Sequence, residues 1–150
     1  MNNVMDIRES KNFADSTLIA PCGINCGLCR AYLRVKKPCY GCRGGNTNKS
    51  DSCLNCKIKN CGILSQDRLQ YCYNCSKYPC ERITHLDLRY RTKYHASPIE
   101  NLAVIKTEGI QELLNREKRR WTCKKCGNTI CMHKGHCIQC GAVFSVERVK

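Results

Sequence analysis

Apolar and polar positions follow a helical period in only one part of this chain. Between Glu81 and Arg120, Ile83, Leu86, Tyr90 and Tyr94 recur at i, i+3, i+7 and i+11, which places them along one face of a helix. Ser97-Pro98-Ile99-Glu100 then carries the marks of a helix start: a serine able to cap, proline at the first helical position, and a glutamate placed to close a capping box. Ile99, Leu102 and Ala103 line this second helix, and Gly109 ends it. A third helix follows, with Ile110, Leu113 and Leu114 inward and the segment Arg116 to Arg120 outward. These helices are expected to supply the only sizeable apolar core.

On either side the pattern dissolves. Residues 1–19 contain no cysteine and little periodicity and read as a flexible arm, with Leu18-Ile19-Ala20 as a short strand at its end. Between Cys22 and Cys80 lie eleven cysteines joined by short polar connections that leave no room for long helices or a conventional sheet. Within this stretch CLNCKIKNC (Cys53, Cys56, Cys61) and CYNCSKYPC (Cys72, Cys75, Cys80) share the spacing C-x2-C-x4-C at a single offset, an internal repeat. Cysteine returns after Trp121. The reading is a small, metal-organised α+β protein with four parts: the arm, a cysteine-rich metal-binding knot over 20–80, a helical segment over 81–120 and a C-terminal zinc ribbon with rubredoxin-like knuckles over 121–150.

Composition explains why metal is needed. The chain has 150 residues with two phenylalanines and one tryptophan, and its 42% hydrophobic content includes sixteen cysteines. Without them the apolar fraction is roughly a third, low for an unaided core. Disulfides are the other staple, but they belong to oxidising compartments. The polar start MNNVMDIRESKNFADST is not a secretory leader, and no stretch approaches the ~20 apolar residues of a membrane span. The expected location is a reducing cytoplasm, where C-x2-C pairs serve as thiolate ligands.

Cys123-x2-Cys126 and Cys137-x2-Cys140 are each followed by glycine, Gly127 and Gly141, as suits a turn that aims two thiolates and backbone amides at one ion. Tetrahedral sulfur fits zinc or a single iron, and zinc is the commoner occupant. Cys131, His133 and His136 between the knuckles read as a small apolar filler and ordinary loop residues. Cys26/Cys29, Cys39/Cys42, Cys53/Cys56 and Cys72/Cys75 supply ligands for two tetrahedral sites whose pairing the spacing leaves open. Cys22, Cys61 and Cys80 remain for a third site with a histidine such as His85, or for a cluster. The expectation is about three or four zinc ions per chain; an iron–sulfur cluster in the knot, with redox or electron-transfer function, is the alternative. Arg30, Arg43, Lys57 and Lys59 around the knot either favour deprotonated thiols or are plain surface charge.

Two enzyme-like fragments fall away. Cys22-x3-Cys26-x2-Cys29 has the spacing of radical S-adenosylmethionine enzymes in a chain too short for their barrel, and Pro38-Cys39-Tyr40-Gly41-Cys42 lacks the His-x-Glu that zinc deaminases require. No catalytic residues are assigned and no small-molecule substrate is inferred. The formal charge of +14 treats cysteines as neutral. Each Zn(Cys)4 centre contributes a net −2, so four would leave about +6. Locally, Arg116, Lys118, Arg119, Arg120, Trp121, Lys124 and Lys125 combine cations with an aromatic ring, a candidate grip on nucleic acid. The other reading of this segment is a helix charged for solubility, with Trp121 packed against the ribbon.

The opening PCGINCGLC (Pro21 to Cys29), CYGCRG, the repeat, the tyrosine-bearing helix, SPIENL and the closing WTCKKCG and CIQCG together resemble a family of small cysteine-rich bacterial and archaeal proteins of unknown function. The resemblance implies metal binding, zinc above all, and carries no activity. The function expected is a non-catalytic binding or adaptor module with structural metals, its partner an unidentified protein or a nucleic acid.

Overall fold

A computed structural model describes residues 15–144. Over these residues the protein is a small α+β fold of six α-helices, three single 3-10 turns and one two-stranded sheet. The first three helices are single turns: α1 (Arg30–Leu33), α2 (Asp51–Leu54) and α3 (Gly62–Gln66). The longer ones are α4 (Glu81–Lys93), α5 (Pro98–Glu108) and α6 (Ile110–Trp121). Strands β1 (Ile130–Cys131) and β2 (His136–Cys137) pair antiparallel, Ile130 opposite Cys137 and Cys131 opposite His136.

The two halves of the repeat end alike. Cys61 is the N-cap residue of α3 and Cys80 that of α4, so each third cysteine sits where the chain turns into a helix. They begin differently, Cys53 within α2 and Cys72 opening a 3-10 turn.

Helix α5 starts as its sequence dictates. Pro98 occupies the first turn and the Ser97 hydroxyl accepts from the Glu100 amide at 3.0 Å. The second orphan amide goes elsewhere: Ile99 N–H donates to the buried carboxylate of Asp87 on α4 at 3.0 Å, and the Ser97 hydroxyl donates to the same oxygen at 2.6 Å. Asp87 thus joins two helices through their polar groups, in a place where a buried carboxylate needs such donors. Along α5, Leu102, Val104 and Ile105 are buried while Ala103 is exposed, which corrects the expected inward face. Small Ala103 lies on the outer side, where nothing selects for bulk. Gly109 ends the helix with φ +95°, its amide donating to Ile105 and Val104 carbonyls.

On α6 the inward stripe is Leu113, Leu114, Glu117 and Trp121. Glu117 was expected outward with its charged neighbours. It lies three residues beyond Leu114 and four before Trp121, so the helical period itself turns it inward.

The core is not confined to the helices. One cluster joins Ile19, Ile58, Leu64, Tyr71 and Cys72 to Ile83, Leu102, Leu113 and Leu114. A second joins Ile24, Leu28 and Ala96 to Trp121, Cys123, Ile130, Met132 and Cys137. Both cross the segment boundaries read from cysteine spacing, because the short cysteine-rich loops contribute single apolar residues that only the helices can cover. Residues 1–14 of the arm lie outside the described residues. Leu18 and Ile19, assigned to that arm, are buried; Leu18 closes the 3-10 turn Ser16–Leu18, and the expected strand is reduced to a single antiparallel bridge between Ile19 and Asn25.

Two contacts fix the N-terminal loops. Gly23, at φ +93°, lies so close to α5 that a Cβ there would stand 2.6 Å from the Pro98 carbonyl and 2.9 Å from Leu102 Cγ. Asn101 Nδ2 donates to the Gly23 carbonyl at 2.9 Å. Arg43 donates to the Ile19 and Gln70 carbonyls at 2.7 and 2.5 Å and lies over the Tyr71 ring, so it is a tether rather than loose surface charge. Lys49 is buried, its ammonium shared by the Gly44 and Gly45 carbonyls at 2.8 Å each.

Candidate metal centre

The C-terminal hairpin brings four cysteines together by repeating one turn twice. Gly127 N–H donates to the Cys123 carbonyl while Cys123 N–H donates to Asn128; Gly141 N–H donates to the Cys137 carbonyl while Cys137 N–H donates to Ala142. Gly127 and Gly141 take φ of +80° and +76°, the left-handed conformation their place in the sequence predicts. The two turns face each other across β1 and β2.

Their sulfurs converge. The Sγ atoms of Cys123, Cys126, Cys137 and Cys140 all lie within 4.8 Å of one another, with 3.6 Å between Cys123 and Cys140 and 3.4 Å between Cys126 and Cys137. A tetrahedral ion with sulfur at about 2.3 Å places its ligands about 3.8 Å apart, so the arrangement fits a single bound ion. Cys123 and Cys137 are buried, and Cys126 and Cys140 face solvent. The amides of Cys126 and Lys125 lower the Cys123 thiol to about 6. At Cys126 the Asn128 amide also lowers the thiol, but desolvation and the neighbouring thiols outweigh it and raise it to about 12. A divalent cation between clustered sulfurs favours their thiolate forms.

Among the described residues no other group of three or more histidine, cysteine or carboxylate ligand atoms converges so closely. The eleven N-terminal cysteines are nevertheless arranged. Cys42 N–H donates to Cys26 Sγ at 3.3 Å, bringing the first two pairs, Cys26/Cys29 and Cys39/Cys42, side by side. Backbone amides two residues on donate to Cys29, Cys39 and Cys75 at 3.4 Å, the same contact that Gln139 makes to Cys137 in the hairpin. Burial pushes the thiols of Cys22, Cys29 and Cys42 up, and takes Cys26 and Cys72 to about 12. Cys53 is exposed, and Cys56, Cys61 and Cys80 are half-buried. His85 is exposed on α4 and joins no such group of ligand atoms.

Cys131 is fully buried, as a small filler should be. His133 is not an ordinary loop residue. Its Nδ1 accepts from the Arg30 amide at 3.4 Å, its Nε2 is 3.2 Å from the Tyr90 hydroxyl, and Tyr90 and Tyr94 meet its ring edge-on. Burial, and then the Arg30 charge, lower its pKa, so it is held neutral. Together with the 3.0 Å bond from Met132 N–H to the Leu28 carbonyl, it locks the hairpin to α4 and the first cysteine loop. Nothing in the spacing of the cysteines announces this role, because the tyrosines that hold His133 lie about forty residues away in the chain.

The basic segment divides. Arg116, Arg119, Arg120, Lys124 and Lys125 line a cleft of about 560 Å³ between α6 and the hairpin, floored by Ile130, Ala142, Val143 and Phe144. Lys118 is exposed and does not line this cleft. Arg116 is held by Glu108 and Glu112, and Arg120 donates to the His95 carbonyl. Trp121 is 1% exposed, its Nε1 donating to Glu117 at 3.1 Å, so it is not free to stack on a base. Phe144 lies over it, ring centroids 4.4 Å apart, and presents itself to the cleft instead.

No helix among the described residues is long and apolar enough to cross a membrane. No curated protein and no solved structure matches the chain. Residues 18–85, from the first buried segment to His85 on α4, match the model of a family described as protein of unknown function (DUF3795), and the hairpin lies outside the match.

Proposed function

We propose that the chain is a zinc-stabilised, non-catalytic binding module of a reducing compartment. The observation that carries this reading is the closed set of four converging cysteine sulfurs at Cys123, Cys126, Cys137 and Cys140. Four thiolates complete the coordination of one zinc ion and leave no position for water or substrate, the difference between a structural and a catalytic site. The ion then acts as a clasp. It holds the zinc ribbon closed against α6, and the ribbon's buried face completes the cluster around Trp121.

The reading extends to the N-terminal thiols, where the amide-to-sulfur contacts at Cys26, Cys29, Cys39 and Cys75 are of the kind that favour thiolate. With zinc there as well, the chain carries about three or four ions. An adaptor for a protein or nucleic acid is the role such a rigid, metal-clasped surface suits.

Elemental analysis and an absorbance spectrum of protein prepared without oxygen, from cells supplied with iron and zinc, test the metal. Zinc without a visible band supports the reading. Iron and sulfide with a broad band near ~400 nm would instead assign the N-terminal thiols to a cluster and make electron transfer the function.

A further inference from the structure

The cleft between α6 and the hairpin combines features that the metal alone does not explain. Five cations and no carboxylate line it. Lys124 and Lys125, in the first knuckle between Cys123 and Cys126, are exposed and have no ion-pair partner among the described residues. Arg119 is 68% exposed and reaches Glu112 only at 3.8 Å. Between these charges the floor is apolar: Ile130, Val143, which is 81% exposed, and Phe144 backed by Trp121. Two unpaired lysines and the exposed Arg119 beside an exposed apolar patch match a ligand that is anionic along one edge and flat and apolar along the other.

We propose that this cleft binds single-stranded nucleic acid, with phosphates on Lys124, Lys125 and Arg119 and one base stacked on Phe144. The volume of about 560 Å³ lies in the range of small-ligand sites, enough for about one or two nucleotides, with the strand continuing over the basic rim. A duplex keeps its bases stacked inside and cannot offer a face to Phe144, so the single strand is the form selected. The site rests on the metal reading in one respect: the ion fixes the knuckle that carries Lys124 and Lys125.

Fluorescence anisotropy with a labelled single strand of about ten nucleotides, RNA or DNA, tests it across roughly 50 to 200 mM salt, on the full chain with zinc content measured on every sample. The expected result is binding that weakens with salt and is competed poorly by duplex of the same sequence. K124E/K125E should lose about tenfold or more and flatten the salt slope by about 1.4, from two lost phosphate contacts. Phe144→Ala should lose about 5- to 150-fold with the slope unchanged, and Phe144→Tyr should restore the loss. The proposal is overturned if the zinc-loaded chain fails to bind at the lowest salt, if duplex or polyglutamate competes as well as single strand, or if neither variant changes the affinity. A chain that holds zinc in the ribbon but binds no strand sinks this inference and leaves the metal reading standing; a chain that carries no zinc although zinc was supplied sinks the metal reading, and strand binding by it would show that the knuckle does not need the ion.

Discussion

Glu117 gives the interior of this protein a measurable dependence on pH. Its carboxyl is buried on the inward stripe of α6, and burial raises its pKa to about 7, against the opposing effects of the Trp121 N–H and the Arg120 charge. In the unfolded chain the same group titrates near 4.5. The folded state therefore binds the proton more tightly, so stability from this group is fully present below about pH 4.5 and is lost as pH rises through 7. The difference of about 2.5 units corresponds to about 3 kcal/mol at most. Glu117→Gln removes the titration while keeping an acceptor for Trp121 Nε1. Its stability relative to the parent should accordingly be near zero or slightly negative at pH 5 and should rise to as much as about 3 kcal/mol by pH 8. For a chain of this length that is about 6–12 °C in Tm. Comparing the two proteins at each pH cancels the titration of the thiols, which they share. Thermal unfolding followed by the single tryptophan, in buffers from pH 5 to 8 with zinc in excess, measures it. A difference in Tm that stays flat across that range would refute the argument.

Three further outcomes follow from contacts in the fold. Asp87→Ala strips two donors, the Ser97 hydroxyl and the Ile99 amide, of their acceptor, and should destabilise the chain by about 3 kcal/mol in denaturant unfolding. Asp87→Asn, which keeps an acceptor, should cost roughly half as much. His133→Ala removes the Tyr90 contact and two edge-on ring contacts that dock the hairpin, a loss of about 2–3 kcal/mol. It should raise hydrogen exchange at the Met132 amide before it affects α5; exchange unchanged at Met132 would mean that His133 does not hold the hairpin. Because Trp121 shares a cluster with Cys123 and Cys137, a chelator strong enough to strip zinc should shift its emission to the red, and added zinc should restore it. Emission that ignores the chelator while zinc is shown to leave would detach the ion from that packing.

What was legible in the sequence was whatever depends on near neighbours. Ser97 and Pro98 announce α5, Gly109 its end, and Gly127 and Gly141 the turns that bring four sulfurs together, because each acts within a few residues of its own position. The repeat was legible as a spacing, but the helix starts at Cys61 and Cys80 that match it were not read from it. Long-range partners were not legible. Asp87 reads as one more surface acid until Ser97 and Ile99 arrive ten and twelve residues later to bind it. Glu117 was hidden by composition: amid Arg116, Lys118, Arg119 and Arg120 it looks solvated, although counting from Leu113 and Leu114 to Trp121 puts it inside. Trp121 packs against the hairpin, one of the two readings its sequence allowed, while Phe144 carried no expectation, since only packing decides which of two stacked rings meets the cleft. The pairing of the N-terminal cysteines was open because C-x2-C pairs are interchangeable by spacing, and only the Cys42 amide on Cys26 begins to order them.

The central claim is that Cys123, Cys126, Cys137 and Cys140 hold one ion between them. Metal analysis of the full chain beside its Cys126→Ser/Cys140→Ser variant tests it most directly, because those two cysteines face solvent while Cys123 and Cys137 belong to the core and stay in place. The account predicts that the variant carries one zinc equivalent fewer than the parent while the remaining metal content is unchanged. Equal zinc in the two proteins, or none in the parent, would contradict it.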